Sequence, residues 1–201
     1  MIINRLFKKL FQGLLLCLVC FVAAMPATAA NEQITVHDFV LYQGDTADKL
    51  VADLRFDYQL GEHLRKSLLN GITLRNEISF ELIFHRDWWW NKREPLESIV
   101  SELKYNALTG QYQLVNRSTD KNWNFSNLAA ALQHMGNVDN YPLPALPAKA
   151  LAEGADAAIY VEATLEPRAS KTLGVPARIS ALFSGDESKL TSQGVMWPLT
   201  P

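Results

Sequence analysis

The sequence predicts a mainly β protein, an antiparallel β-sandwich (Ig-like or α+β layered) of about six or seven strands with two short helices. Several segments alternate apolar and polar residues with a period of two, as strands with one buried and one solvated face do. Only two segments show helical spacing, and no run of strand–helix–strand units occurs. The strands are therefore expected to pair mostly antiparallel, in two packed layers.

The segment Ile72–Trp90 is expected to hold the central strand. Its apolar residues alternate with polar ones, which places one face in the core and the other in water. The segment ends in three consecutive tryptophans, which a simple alternation cannot bury together. The apolar face comprises Ile78, Phe80, Leu82 and Phe84.

Two strands and a helix are predicted before this segment. Strands over Ile34–Gln43 and Leu50–Tyr58 flank a turn at Gly44 and form a hairpin. Leucines spaced by four from Leu60 then predict a short helix with Gly71 at its C-terminal end. A helix at this place suggests that the chain crosses from one sheet to the other.

After the tryptophans, a polar loop is predicted over Asn91–Pro95 and two strands over Ile99–Tyr105 and Gln111–Arg117. A second helix is expected, with Ser126 as its N-cap and Gly136 at its end.

The remainder of the chain is expected to contain fewer regular elements. The proline-rich segment Asn137–Pro147 is predicted to be extended and irregular. Strands are expected over Ala158–Leu165 and Val195–Leu199.

The first 30 residues have the pattern of a secretory signal peptide. A basic start precedes the apolar run Leu10–Ala24, and Ala27-Thr28-Ala29 forms an A-x-A cleavage site. We expect cleavage after Ala29 or Ala30, which leaves residues 31–201 as a single β-rich periplasmic or secreted domain. The alternative is an uncleaved membrane anchor.

Charge and cysteine content exclude several classes of function. The predicted signal contains three of the 19 basic residues and no acidic one, so 16 basic and 21 acidic residues remain. This net charge of −5 argues against binding to nucleic acid. Both cysteines, Cys17 and Cys20, lie in the signal, which excludes disulfides and thiol chemistry from the mature domain.

No catalytic motif, cofactor site or metal site is predicted. The four histidines are too widely spaced for a helical zinc pair, and no nucleophile elbow or phosphate-binding glycine loop occurs. An enzyme would need carboxylates that only the fold brings together, as in a hydrolase of cell-envelope glycans.

The segment around the three tryptophans is the candidate binding surface. Exposed tryptophans beside basic residues suit contact with a protein, a sugar or a lipid headgroup. The alternative is that the indoles cap the core and the basic side chains stack over them. The surface comprises Arg86, Trp88, Trp89, Trp90, Lys92 and Arg93.

The chain resembles DUF4390, a family of bacterial exported proteins of unknown function. The resemblance covers the mature chain and rests on a pattern of segments: Leu60–Ile72, Ile78–Trp90, Leu103–Leu114, Phe125–Gly136, the strand around Tyr160, and Trp197. It implies a periplasmic or membrane-associated protein, in a family whose genes often neighbour a membrane sensor histidine kinase.

These observations favour a non-enzymatic periplasmic binding or accessory module with a membrane or periplasmic protein partner. A membrane-bound sensor kinase is the partner that the resemblance suggests. The glycan hydrolase and a structural component of the envelope are the alternatives, and the ligand is left open.

Overall fold

Ten strands, two α-helices and one short 3₁₀ turn make up most of the chain that the structure describes. The structure, a computed structural model, describes residues 32–46, 48–85, 91–152, 156–168 and 189–199. In chain order the elements are β1 (Gln33–Gln43), β2 (Leu50–Gln59), α1 (Glu62–Leu69), β3 (Thr73–Phe84), β4 (Lys92–Asn106), β5 (Gln111–Asn116), β6 (Asn122–Phe125), α2 (Leu128–Gly136), β7 (Asn137–Pro142), the 3₁₀ turn (Ala148–Ala150), β8 (Ala157–Arg168), β9 (Leu190–Thr191) and β10 (Val195–Pro198).

The strands form two antiparallel sheets that pack against each other, which confirms the predicted sandwich. The smaller sheet has the order β1-β2-β7, and the larger has the order β10-β8-β3-β4-β5-β6, with β9 paired to β8. Aromatic contacts join the layers. The ring of Phe80 on β3 stacks on Tyr141 of β7 at 5.9 Å, and Phe39 of β1 meets Trp197 of β10 at 6.0 Å.

Strand β3 is central in the larger sheet, as the sequence predicted. It pairs along its whole length with β8 and from Leu74 to Phe84 with β4. Ile78, Phe80 and Leu82 are completely buried, while Glu77 and Glu81 on the other face are only partly covered. The register of the predicted alternation is therefore correct.

The predicted hairpin and crossover are both present. Strands β1 and β2 pair from Gln33 to Gln43, and α1 then carries the chain from the smaller sheet to β3 in the larger one. Leu64 and Leu68 on α1 are buried. Gly71 follows the helix with a φ of 84°, a conformation that glycine adopts without steric cost. Neither α-helix among the described residues has the length and apolarity that crossing a membrane requires.

The prediction of irregular backbone over Asn137–Pro147 was wrong in its first half, which forms β7. This segment pairs with β2 at the edge of the smaller sheet, where a proline at a strand end is tolerated. Asn140 has a φ of 53°, and its backbone N–H donates to Oδ1 of Asp53 at 2.7 Å. A side chain of β2 thus supports the irregular step in β7, and local sequence patterns do not reveal such a contact.

The polar loop predicted over Asn91–Pro95 is also wrong beyond its first residue. Strand β4 already begins at Lys92, which lies opposite Phe84 of β3. The register between these strands shifts by one residue around Leu96, and this bulge accommodates Pro95 in the strand.

Two smaller differences concern the region before β7. Strand β6 was not predicted, and it pairs with β5 at the edge of the larger sheet. The N-cap of α2 is Asn127 instead of Ser126, since Oδ1 of Asn127 accepts the N–H of Ala130 at 2.8 Å.

Candidate functional site

The predicted binding surface lies where β3 passes into β4. Four of its six residues, Arg86 and the tryptophans Trp88, Trp89 and Trp90, fall outside the described residues. Lys92 and Arg93 are the first two residues of β4. Because neighbouring residues of a strand point to opposite faces, these two side chains leave the sheet in opposite directions.

On one face, Lys92 belongs to a small ionic cluster around Glu94. The Nζ atom of Lys92 is 2.7 Å from Oε1 of Glu94, and Nζ of Lys149 is 2.6 Å from the same oxygen. The hydrogen bonds from Lys149 and then Lys92 lower the pKa of Glu94. The ammonium group of Lys149 also lies 4.7 Å from the ring centroid of Phe84, which is a cation–π distance.

On the opposite face, Arg93 stacks over Tyr160 of β8. Its guanidinium carbon is 4.7 Å from the centroid of that ring, and Nη1 is 3.4 Å from Oε2 of Glu81. The hydroxyl of Tyr160 donates to Oε2 of Glu162 at 3.1 Å. Burial, followed by this hydrogen bond, raises the pKa of Tyr160.

The two faces together extend the basic and aromatic character that the sequence predicted for this region. We call Phe84, Lys92, Arg93, Lys149 and Tyr160 the hairpin-end surface. These residues surround the end of β3 and the start of β4, on both faces of the larger sheet. Lys149 and Tyr160 were missed from the sequence because they are 55 and 67 positions from their partners Glu94 and Arg93 and form no motif with them.

A groove of about 860 Å³ lies elsewhere, beside the second half of β2. Strand β7 pairs with β2 only as far as Arg55, while β2 continues to Gln59. Helix α2 lies next to this part of β2, along the edge that β7 does not cover. A Cβ atom added to Gly136, at the end of α2, would overlap the carbonyl oxygen of Phe56. The glycine therefore sets how closely the helix can approach the strand.

The groove has apolar and aromatic residues in its lining and charged residues from four elements. Phe56, Tyr58, Phe125, Leu128 and Leu132 supply the apolar part. The charged and titratable residues are His37 of β1, Arg55 and Asp57 of β2, Arg65 of α1 and His134 of α2. No sequence pattern links these residues, so the groove could not be predicted from the sequence.

The side chains of the groove are held by a few contacts. The register of β1 shifts at His37, which marks a β-bulge that turns this side chain. Nε2 of His37 is 3.9 Å from Oδ2 of Asp57. The imidazole of His134 packs on Trp123 at 4.6 Å and on Phe125 at 5.3 Å between ring centroids.

The described residues that line the groove do not include the carboxylate pair that a glycan hydrolase of the usual kind needs. Asp57 is the single carboxylate among its described lining residues. Across the described parts of the chain, no group of three or more histidine, cysteine, aspartate or glutamate side chains is placed to hold a metal ion.

Comparison with known proteins gives a family without an assigned activity. No curated protein and no solved structure matches the chain. A family model described as a domain of unknown function, DUF4390, matches residues 31–196, which confirms the resemblance seen in the sequence, and the chain belongs to that family.

Proposed function

We propose that this protein is a non-enzymatic binding or accessory module of the bacterial cell envelope that binds a protein partner through the hairpin-end surface. A membrane-bound sensor kinase is the partner we favour. The observation that carries the proposal is the stacking of Arg93 over Tyr160 next to the tryptophan segment. Arginine, tyrosine and tryptophan are the residues that contribute most binding energy at protein interfaces.

The geometry supports a protein partner in two further ways. Arg93 and Lys149 each lie over an aromatic ring and each contact a carboxylate, so both cations are held in place before a partner arrives. A surface that is already ordered loses less side-chain entropy on binding. Lys149 lies in the 3₁₀ turn after β7, whereas Arg93 and Tyr160 lie on strands of the larger sheet, so the surface combines segments that are far apart in the sequence.

The location in the envelope is part of the proposal and rests on the signal pattern of residues 1–30. N-terminal sequencing of the protein purified from the periplasm should give Ala30 or Asn31 as the first residue. Recovery of the chain with Met1 in the membrane fraction would contradict cleavage.

The binding test uses the mature protein immobilised as bait for envelope extract, with the captured proteins quantified by mass spectrometry. Arg93→Ala and each single alanine variant of Trp88, Trp89 and Trp90 are compared with the wild type. We expect one specific partner to be lost with Arg93→Ala and with at least one tryptophan variant. Truncating such a residue typically costs about 2 kcal/mol or more of binding, and the melting temperature should hardly change.

Two matched variants separate stacking from charge. Arg93→Lys keeps the positive charge but loses the planar group that stacks on Tyr160, so binding should still weaken. Glu81→Gln removes the ion pair and keeps the stacking, so binding should weaken less than in Arg93→Lys. A partner captured equally by all the Arg93 and tryptophan variants would refute the proposal, as would tryptophan variants that lose binding only because they melt early.

A further inference from the structure

We propose that the groove between β2 and α2 binds an amphipathic organic anion, a small molecule with a carboxylate on an apolar body. This site is separate from the hairpin-end surface. The groove borders the second half of β2, whereas Lys149 follows a segment whose N–H groups bond to Asp48 and Leu50 at the start of β2.

The charge of the groove is opposite in sign to that of the chain. The whole sequence has 19 basic and 21 acidic residues and a net charge of −2. The lining of the groove has two guanidinium groups, those of Arg55 and Arg65, against one carboxylate, that of Asp57. An anion is therefore attracted to this part of the surface and repelled by much of the rest.

Arg65 can bind a carboxylate through a guanidinium that a backbone contact already orients. Its Nε donates to the carbonyl oxygen of Leu60 at 2.8 Å, and this bond orients the guanidinium. The end-on pair of N–H groups on the two Nη atoms is the fork that binds a carboxylate with two parallel hydrogen bonds. Because the group is already oriented, a ligand does not have to order it.

Arg55 can exchange its present contact for a ligand at low cost. Its Nη2 is 3.8 Å from Oδ1 of Asp139, and the two side chains are 62% and 52% exposed. Such an exposed pair stabilises the folded chain little, so giving it up costs little. A carboxylate in the groove would compete with Asp139 for this guanidinium.

The remaining lining explains why the anion should have an apolar body. The volume of about 860 Å³ lies in the usual range for sites that bind an organic molecule. Of its apolar and aromatic lining, Phe56, Tyr58 and Leu132 are already buried, whereas Phe125 and Leu128 are partly exposed. An apolar body releases water from Phe125 and Leu128 when it binds. An inorganic anion would bind to the arginines without displacing water from the apolar side chains.

The test measures binding of three probes to the mature protein by isothermal titration calorimetry. Octanoate has the charge and the body, octan-1-ol has the body alone, and acetate has the charge alone. We expect octanoate to bind about tenfold more tightly than either of the others, since octan-1-ol lacks the charge-assisted hydrogen bonds and acetate lacks the apolar body. Octan-1-ol binding as tightly as octanoate would overturn the proposal.

Variants locate the site. Arg65→Gln and Arg55→Gln should each weaken octanoate binding about tenfold, whereas Lys121→Gln, the same charge change in the exposed β5–β6 turn, should have no effect. If thermal melts show that Arg65→Gln unfolds, the octanoate affinity of Arg55→Gln alone tests the proposal, because Arg55 is exposed. An unchanged affinity in Arg55→Gln would overturn the proposal. So would an acidic tetrapeptide that binds more tightly than octanoate, because the groove would then be a peptide site.

Discussion

The hydroxyl of Tyr58 donates a 2.8 Å hydrogen bond to Oδ1 of Asn76 and so joins β2 of the smaller sheet to β3 of the larger one inside the core. The amide of Asn76 donates in turn to Oγ of Ser101 at 3.3 Å. All three residues are buried. Burial raises the pKa of Tyr58 far above its ordinary value, so the hydroxyl keeps its proton and remains a donor.

Tyr58→Phe should destabilise the protein by about 1–3 kcal/mol, because it leaves Oδ1 of Asn76 without its donor in a place that water does not reach. The free energy of unfolding in urea measures this change. Tyr112→Phe, at a half-buried position, is the control and should change little. An unchanged urea midpoint for Tyr58→Phe would mean that the bond between the sheets contributes nothing to stability.

Phe80→Ala should cost about 3–5 kcal/mol, the usual effect of removing a completely buried aromatic ring. The substitution also removes the stacking partner of Tyr141 and so weakens the contact between β3 and β7. Equilibrium denaturation measures the change. Glu97→Ala, the exposed cross-strand neighbour of Phe80 on β4, should have an effect of about 0.5 kcal/mol or less. Similar midpoints for the two variants would contradict the position of β3 in the core.

Gly136→Ala should cost about 1–3 kcal/mol, since the added methyl group overlaps the carbonyl oxygen of Phe56 and pushes α2 away from β2. The same displacement should change octanoate binding in the groove. Gln133→Ala, on the exposed face of α2, is the control and should leave stability unchanged or slightly higher. A Gly136→Ala variant with wild-type stability would show that the helix has room to move.

The contact between Glu102 and Arg117 should make stability depend on pH in the acidic range. Nη2 of Arg117 donates to Oε2 of Glu102 at 2.6 Å, and this bond lowers the pKa of Glu102 from its ordinary value of about 4.5. Since the pKa is lower in the folded state, the contribution is complete above pH 4.5 and is lost as the pH falls through the folded value.

Urea unfolding from pH 7 to pH 3, a range set by the shifted carboxylate, tests this expectation. The wild type should lose stability on acidification relative to Glu102→Gln, and Arg117→Gln should flatten the curve in the same way. Parallel curves for the wild type and Glu102→Gln would exclude a contribution from this pair.

Periodic segments of the sequence predicted the elements that depend on local spacing. The alternation around Phe80 gave the register of β3, and leucines spaced by four gave α1 before Gly71. In both cases one buried face determines the element, and the spacing of apolar residues within the segment reveals that face. The fold class follows from these segments.

Elements and sites that depend on distant partners could not be predicted in this way. Strand β7 exists because β2 offers an edge, and the N–H of Asn140 bonds to Asp53, 87 positions away. Arg93 meets Tyr160 only after β8 has paired with β3. The groove likewise combines residues from several elements, so its chemistry appears only in the folded chain.

The junction of α2 and β7 limits where the chain can change in length. Gly136 ends the helix and Asn137 begins the strand, with no residue between them. One inserted residue at this point would turn every following side chain of β7 to the other face of the sheet. Tyr141 would then leave its position on Phe80. No loop residue lies between the helix and the strand to absorb the insertion. We expect insertions and deletions in related sequences to collect in the β4–β5 and β5–β6 turns instead and to be absent from this junction.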